Sequence, residues 1–187
     1  MRESATRYSA VSITLHWLIA ALLVANVLVG GWMEDARGAE KLDWFAMHKS
    51  LGISIFALTL IRLGWRFGHP WPALPANVDG WERLLIRFTH FAFYVVLLAI
   101  PLLGWAAASA GGASSTDWFG LFPLGNLPVP RSDDLGETLG DAHKLLVKAT
   151  YVLVALHVLG ALKHHFLNRD GVLHRMLPIV PAPRSGR

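Results

Sequence analysis

Four apolar runs decide what this chain can be. They extend from about Val11 to Trp32, Phe45 to Trp65, Leu84 to Ala108 and Ala142 to Leu162. A helix needs about 20 apolar residues to cross about 30 Å of hydrocarbon, and each run is that long. Composition agrees: 53% of the residues are hydrophobic and 16% are charged, against about 25% charged in a soluble domain. The expectation is an all-α fold, a transmembrane four-helix bundle, in one domain over residues 1–178. A disordered tail over 179–187, with Pro181, Pro183, Ser185 and Gly186, follows it. Pro101 falls inside the third run and predicts a kink there. Glu34 and Asp35 follow the first run where a cleavage site would need small residues, so it reads as a retained helix and not as a signal peptide.

The flanking charges set an orientation. Arg2, Arg7, Arg62, Arg66, Arg83, Arg87, Lys163, Arg169, Arg175, Arg184 and Arg187 fall on one side, eleven of the seventeen basic residues, with four acids. The other side carries nine acids and the remaining six bases: Arg37, Lys41, Lys49, Arg131, Lys144 and Lys148. Cytoplasmic loops are the ones rich in Lys and Arg, so both termini are expected in the cytoplasm and residues 109–141 form the longest outer loop. Trp118, Phe119 and Phe122 in that loop suit either the outer headgroup layer or plain loop packing. The pI of 9.8 does not point to nucleic acid, because the basic residues cap apolar runs and do not share one polar face. The absence of cysteine excludes disulfides, iron–sulfur clusters and covalently attached haem.

Nine histidines are present, and those within the apolar runs are functional suspects, since ionisable groups are expensive inside a bilayer. His16 lies a turn or more inside the inner end of helix 1, and His48 just inside the outer end of helix 2. His143 marks the outer end of helix 4, and His157 lies near its inner end. Fourteen residues separate His143 from His157, about 3.9 helical turns, so both project from nearly the same face about 21 Å apart. His48 matches His143 in depth, while His16 and His90 both match His157. Facing histidines on neighbouring helices are the means by which bundles hold haem, and two such sites across a bilayer make an electron path. Depth alone leaves open which two of His16, His90 and His157 share the inner site; the third suits a haem propionate or a quinone carbonyl. Single membrane histidines more often bond neighbouring helices than ligate metal, but four paired by depth are harder to explain that way. Gly52, one turn after His48, and Gly160, three residues after His157, are small enough to let a macrocycle approach, or to pack helices closely. His69, His164, His165 and His174 read as solvated or snorkelling side chains.

The residues then resemble the bacterial cytochrome b561 family. Arg7-Tyr8-Ser9 and Leu15-His16-Trp17 are similar to its first helix, and His48-Lys49-Ser50-Leu51-Gly52 to the start of its second. His90, Tyr94 and Pro101 fit its third helix, and His143 and His157 its fourth. The most specific stretch is His157, Ala161, His164-His165-Phe166, Asp170-Gly171 and Arg175-Met176-Leu177-Pro178. The resemblance covers nearly the whole chain, and the outer loop is its least matched part. It implies two haem b groups, ligated by His16 with His157 and His48 with His143, and leaves His90 free. It implies electron exchange with the quinone pool in the bacterial inner membrane, with ubiquinone as electron acceptor. In some members superoxide is the donor. Lys49, Lys144 and Lys148 beside the outer site would attract such a small anion, or pair with propionates and headgroups. Two other readings compete: a haem-bearing anchor subunit of a separate dehydrogenase or hydrogenase, and a haem-free metal transporter. The transporter is disfavoured because its ligands should converge near the midplane, and no Asp or Glu lies in any span.

Overall fold

The computed structural model describes residues 8–69, 71–75, 78–113, 116–177 and 179. Arg2 and Arg7, used above for orientation, lie outside the described residues, as does the expected tail apart from Ile179. Four long helices make the fold: α1 Ala10–Asp35, α2 Gly38–Gly68, α3 Gly80–Ala110 and α4 Asp133–Lys163. All four are long and apolar enough to cross a membrane, and most of their large apolar side chains face outward. The described part of the chain is thus a four-helix bundle clothed in hydrocarbon.

Each helix extends past the apolar run that announced it, because hydropathy marks the membrane-embedded part while capping chemistry sets the ends. The Ser9 hydroxyl accepts from the Ser12 amide at 3.2 Å and starts α1. Ser132 does the same for α4 through the Leu135 amide at 3.3 Å, with Asp133 and Asp134 in the first turn opposite the helix dipole. The early start of α4 corrects the placing of His143 at a helix end, since ten residues precede it. His48 likewise lies ten residues into α2. α1 turns back into α2 across Ala36 and Arg37, with Gly38 at φ +57°, a left-handed conformation that glycine adopts without strain. α3 runs through Pro101 as one helix.

The long connection between α3 and α4 carries a feature that hydropathy did not reveal, a small antiparallel hairpin of β1 Thr116–Trp118 and β2 Phe122–Leu124. Phe119 (φ 51°) and Gly120 (φ 70°) make its turn. The hairpin is fastened to α2. Ser50, 1% exposed, accepts from the Phe119 amide at 3.0 Å and shares its one hydroxyl proton between the Ala46 carbonyl at 2.9 Å and the Asp117 carbonyl at 3.2 Å. Trp118 Nε1 donates to Ser54 Oγ at 3.0 Å. Trp118 therefore packs on the bundle, whereas Phe119 and Phe122 stay 42% and 49% exposed, as either of the two readings given above allows.

At the opposite end, where the described termini lie, α4 runs into one π-helical turn, His164–Asn168, and then a short helix, α5, Val172–Met176. Trp17 Nε1 donates to the Met176 carbonyl at 2.8 Å, tying α5 to α1. Arg175 Nη1 donates to the Ala73 carbonyl at 2.6 Å, tying it to the α2–α3 connection. Lys163 of α4 pairs with Glu82 of α3.

The pattern of packing matters most for function. α1 packs along α2, α3 along α4, and α2 less extensively against α3. Among the described residues no extensive packing joins α4 to α1 or to α2. Only Thr150 of α4 is fully buried; it lies midway between His143 and His157 and donates to the Leu146 carbonyl.

Candidate cofactor sites

The two seams where α4 does not pack are the ones that the histidines face. At the hairpin end the rings of His48 and His143 stand 6.0 Å apart between centroids, at 74° to each other. At the terminal end His16 and His157 stand 6.0 Å apart, at 64°. Two metal–imidazole bonds of about 2.0 Å, with the ring radius added on each side, place imidazoles sharing one metal about 6 Å apart. Both pairs therefore have the spacing of bis-histidine ligation, and both bridge seams wide enough to leave the helices apart.

Local structure orients these rings unequally. His143 Nδ1 donates to the Ile100 carbonyl of α3 at 2.8 Å, which leaves Nε2 unprotonated and able to ligate. His48 Nδ1 is buried with no hydrogen-bond partner, and so is the nearby Asn26 Oδ1. A β-carbon on Gly52 would meet Asn26 Nδ2 at 3.7 Å, so what Gly52 admits here is the Asn26 amide. A β-carbon on Gly160 would meet no protein atom within 4 Å, so the space beside it is open and helix packing is not what requires a glycine there. Two glycines that sequence reasoning passed over come closest to the ligands. Gly104 faces the His143 ring and Gly30 faces His48. Nothing along the sequence marks them, because each matters through a ring that another helix brings against it.

Three histidines do meet at the terminal end. His90 lies 5.4 Å from His157 between ring centroids, and its Nδ1 donates to the Ile86 carbonyl at 2.7 Å. Phe93 and Trp71 wall the cluster, 5.4 Å from His157 and 5.1 Å from His90. Arg62 Nη1 donates to His16 Nδ1 at 3.0 Å. Arginine cannot accept, so this bond places the proton of neutral His16 on Nε2. Ligation through His16 Nε2 therefore requires Arg62 to release the ring. Tyr8 and Tyr94 border Arg62, and Arg66 stacks on Trp71 with its buried Nη2 unbonded. Sequence reasoning used Arg62 and Arg66 only for orientation; their place beside the histidines is a tertiary result.

His164 corrects the expectation of a solvated side chain. It is 6% exposed, and its Nδ1 lies 2.5 Å from Asp170 Oδ2. His165 is partly buried, whereas His69 stacks on Trp65 at the surface as expected. Lys49 lies over the Phe45 ring at 4.8 Å, while Lys144 is paired with Asp141 at 3.2 Å and so offers less free charge than assumed. Among the described residues no group of three His, Asp or Glu side chains is placed to hold a bare metal ion.

A four-helix membrane bundle whose facing histidines bridge two open seams has the architecture of a membrane cytochrome b. The chain belongs to the prokaryotic cytochrome b561 family, whose model matches residues 7–178. It is 32% identical over 179 residues to cytochrome b561 homolog 2 of Escherichia coli (strain K12), covering 91% of both chains. It is 30% identical to the probable superoxide oxidase CybB of Yersinia pestis, covering 92% of this chain and 96% of that one. It is 28% identical to cytochrome b562 of Cereibacter sphaeroides, covering 91% and 94%. The protein is thus a membrane haem protein with a redox role, and its family carries b-type haem.

Proposed function

We propose that this chain is a di-haem electron-transfer protein of the bacterial inner membrane, both termini cytoplasmic, that passes electrons from a small external donor such as superoxide to ubiquinone. The observation that carries it is the pair of 6.0 Å histidine spacings, one at each end of α4. His48 and His143 hold one haem b and His16 and His157 the other, each group supplying reversible one-electron chemistry when bound. His90 is passed over as a ligand for a steric reason. It stands on α3, which packs tightly along α4, so a macrocycle between His90 and His157 would have to split a closed seam. His16 faces His157 across an open one.

The remaining residues hold and orient. Arg62 and Arg66 bring two positive charges to the terminal-end site, suited to the carboxylates of a bound haem. His90, with Nδ1 committed to Ile86, presents Nε2 to the same region and serves a quinone carbonyl or a propionate. Lys49 is the cation that draws an anionic donor at the hairpin end. The name of the Yersinia relative, probable superoxide oxidase, supports the donor. The test is to count haem per purified chain, then add superoxide and a ubiquinone analogue separately under anaerobic conditions. Two haems, reduced by superoxide and reoxidised by the quinone, are expected. One haem per chain overturns the assignment; two haems inert to superoxide remove the donor.

A further inference from the structure

His143 and His48 meet the same construction on two different helices. On α3 the Ile100 carbonyl accepts from His143 Nδ1 at 2.8 Å. Gly104, four residues on, is where the ring comes against the helix: a β-carbon there would stand 3.1 Å from Nδ1 and 3.2 Å from Cε1. On α1 the Asn26 carbonyl faces the His48 ring. Gly30, again four residues on, would set a β-carbon 3.6 Å from Nδ1 and Cε1. A helical carbonyl at position i already serves the amide of i+4, so a second donor must reach it from the side. Cα–Cβ bonds tilt toward the helix N-terminus, so the β-carbon of residue i+4 leans across that approach. Glycine leaves it clear.

We propose that Gly104 is a positioning residue that sets the tautomer of His143, and that Gly30 gives His48 the same access to a carbonyl. Each glycine leaves one backbone carbonyl open to a ring; at Gly104 the imidazole directs its Nδ1 proton there and presents Nε2 as the free donor. The two ligands are held unequally: the His143 bond is made, whereas His48 Nδ1 is buried and unbonded beside its carbonyl. A histidine that donates Nδ1–H to a carbonyl is a more basic ligand and favours the oxidised metal. The inference rests on the ligand assignment proposed above.

The test compares Gly104→Ala, Gly30→Ala, His143→Ala and a control, Gly64→Ala, whose β-carbon would meet nothing within 4 Å. Each purified holoprotein is read by haem content, by the low-spin EPR g-values of each haem and by its midpoint potentials. Gly104→Ala must displace the His143 ring by a few tenths of an ångström. It is expected to shift the g-values and raise the potential of the hairpin-end haem, and to speed its loss about 10-fold, the usual scale for disturbing a ligand's supporting hydrogen bond. The other haem and the Gly64→Ala protein should be unchanged. Gly30→Ala sets its β-carbon in ordinary contact with a His48 Nδ1 that makes no bond, so it should shift the same haem far less than Gly104→Ala. Wild-type g-values and potentials in Gly104→Ala, with the hairpin-end haem lost in His143→Ala, overturn the tautomer role alone. Both haems retained in His143→Ala overturn the ligand assignment and this inference with it.

Discussion

His164 Nδ1 and Asp170 Oδ2 lie 2.5 Å apart, and their side chains are only 7% and 2% exposed. The contact closes the π-helical turn at the end of α4, and Asp170 Oδ1 also accepts from the Val172 amide at 3.1 Å, which starts α5. One carboxylate thus ends one helix and begins the next, and α5 in turn is tied to α1 through Trp17. Asp170→Ala leaves both a buried imidazole and an amide without acceptors, each loss costing about 1–3 kcal/mol. Thermal unfolding in detergent should fall accordingly, and limited proteolysis should cut first after residue 163. Unchanged melting and digestion would show that this contact contributes nothing.

Ligand substitutions should separate by helix. His48→Ala and His143→Ala should each lose the same one haem and keep the other. His90→Ala should keep both haems while slowing reoxidation by quinone or shifting one midpoint potential. The readout is haem stoichiometry with redox titration, and loss of a haem from His90→Ala would reverse the steric argument made from the α3–α4 seam.

Ser50 holds the hairpin. Its hydroxyl is the acceptor for the Phe119 amide and a donor to the Asp117 carbonyl. Ser50→Ala removes the acceptor of the part-buried Phe119 amide, a loss of about 1 kcal/mol. Hydrogen exchange should quicken over residues 116–124 while helix α2 keeps its protection. Equal protection of the hairpin in both proteins would mean that Trp118 and Ser54 suffice.

The anion-steering role divides the lysines. Lys144 is neutralised by Asp141, both two-thirds exposed, so Lys144→Gln should barely alter the rate of reduction by superoxide. Lys49→Gln should lower it, and salt should lower it in the wild type. A Debye length of about 10 Å at 0.1 M leaves little steering above a few hundred millimolar. Stopped-flow rates that ignore both salt and Lys49 would leave this lysine a headgroup or propionate role.

Tyr8 adds an alkaline limit. Burial raises its phenol above the ordinary value and outweighs the opposing influence of Arg66, Arg175 and Arg62. Above about pH 10 the unfolded chain releases this proton while the folded one keeps it, so stability falls as pH rises through that range and on through the folded value. Tyr8→Phe should flatten the alkaline arm of a melting-temperature profile and leave neutral pH unaffected. Superimposable profiles would discard the assignment.

The sequence by itself determined the four spans, because burying 20-residue apolar runs away from water admits few structures besides membrane helices. It also placed histidines in depth, since a helix converts residue number into height, and the fourteen-residue interval between His143 and His157 is such a ruler. It could not decide azimuth between helices. Which of His16 and His90 faces an open seam depends on α1 standing off from α4 while α3 packs against it. The same limit hid Gly104 and Gly30, whose worth lies in the ring that another helix brings against them. It misread His164 as solvated, because the partner that buries it lies across a π-helical turn. Hydropathy and periodicity are properties of one segment and can be read along the chain. The spacing of two rings, the acceptor for one Nδ1 proton and the docking of a hairpin on Ser50 are relations between segments, and packing alone sets them.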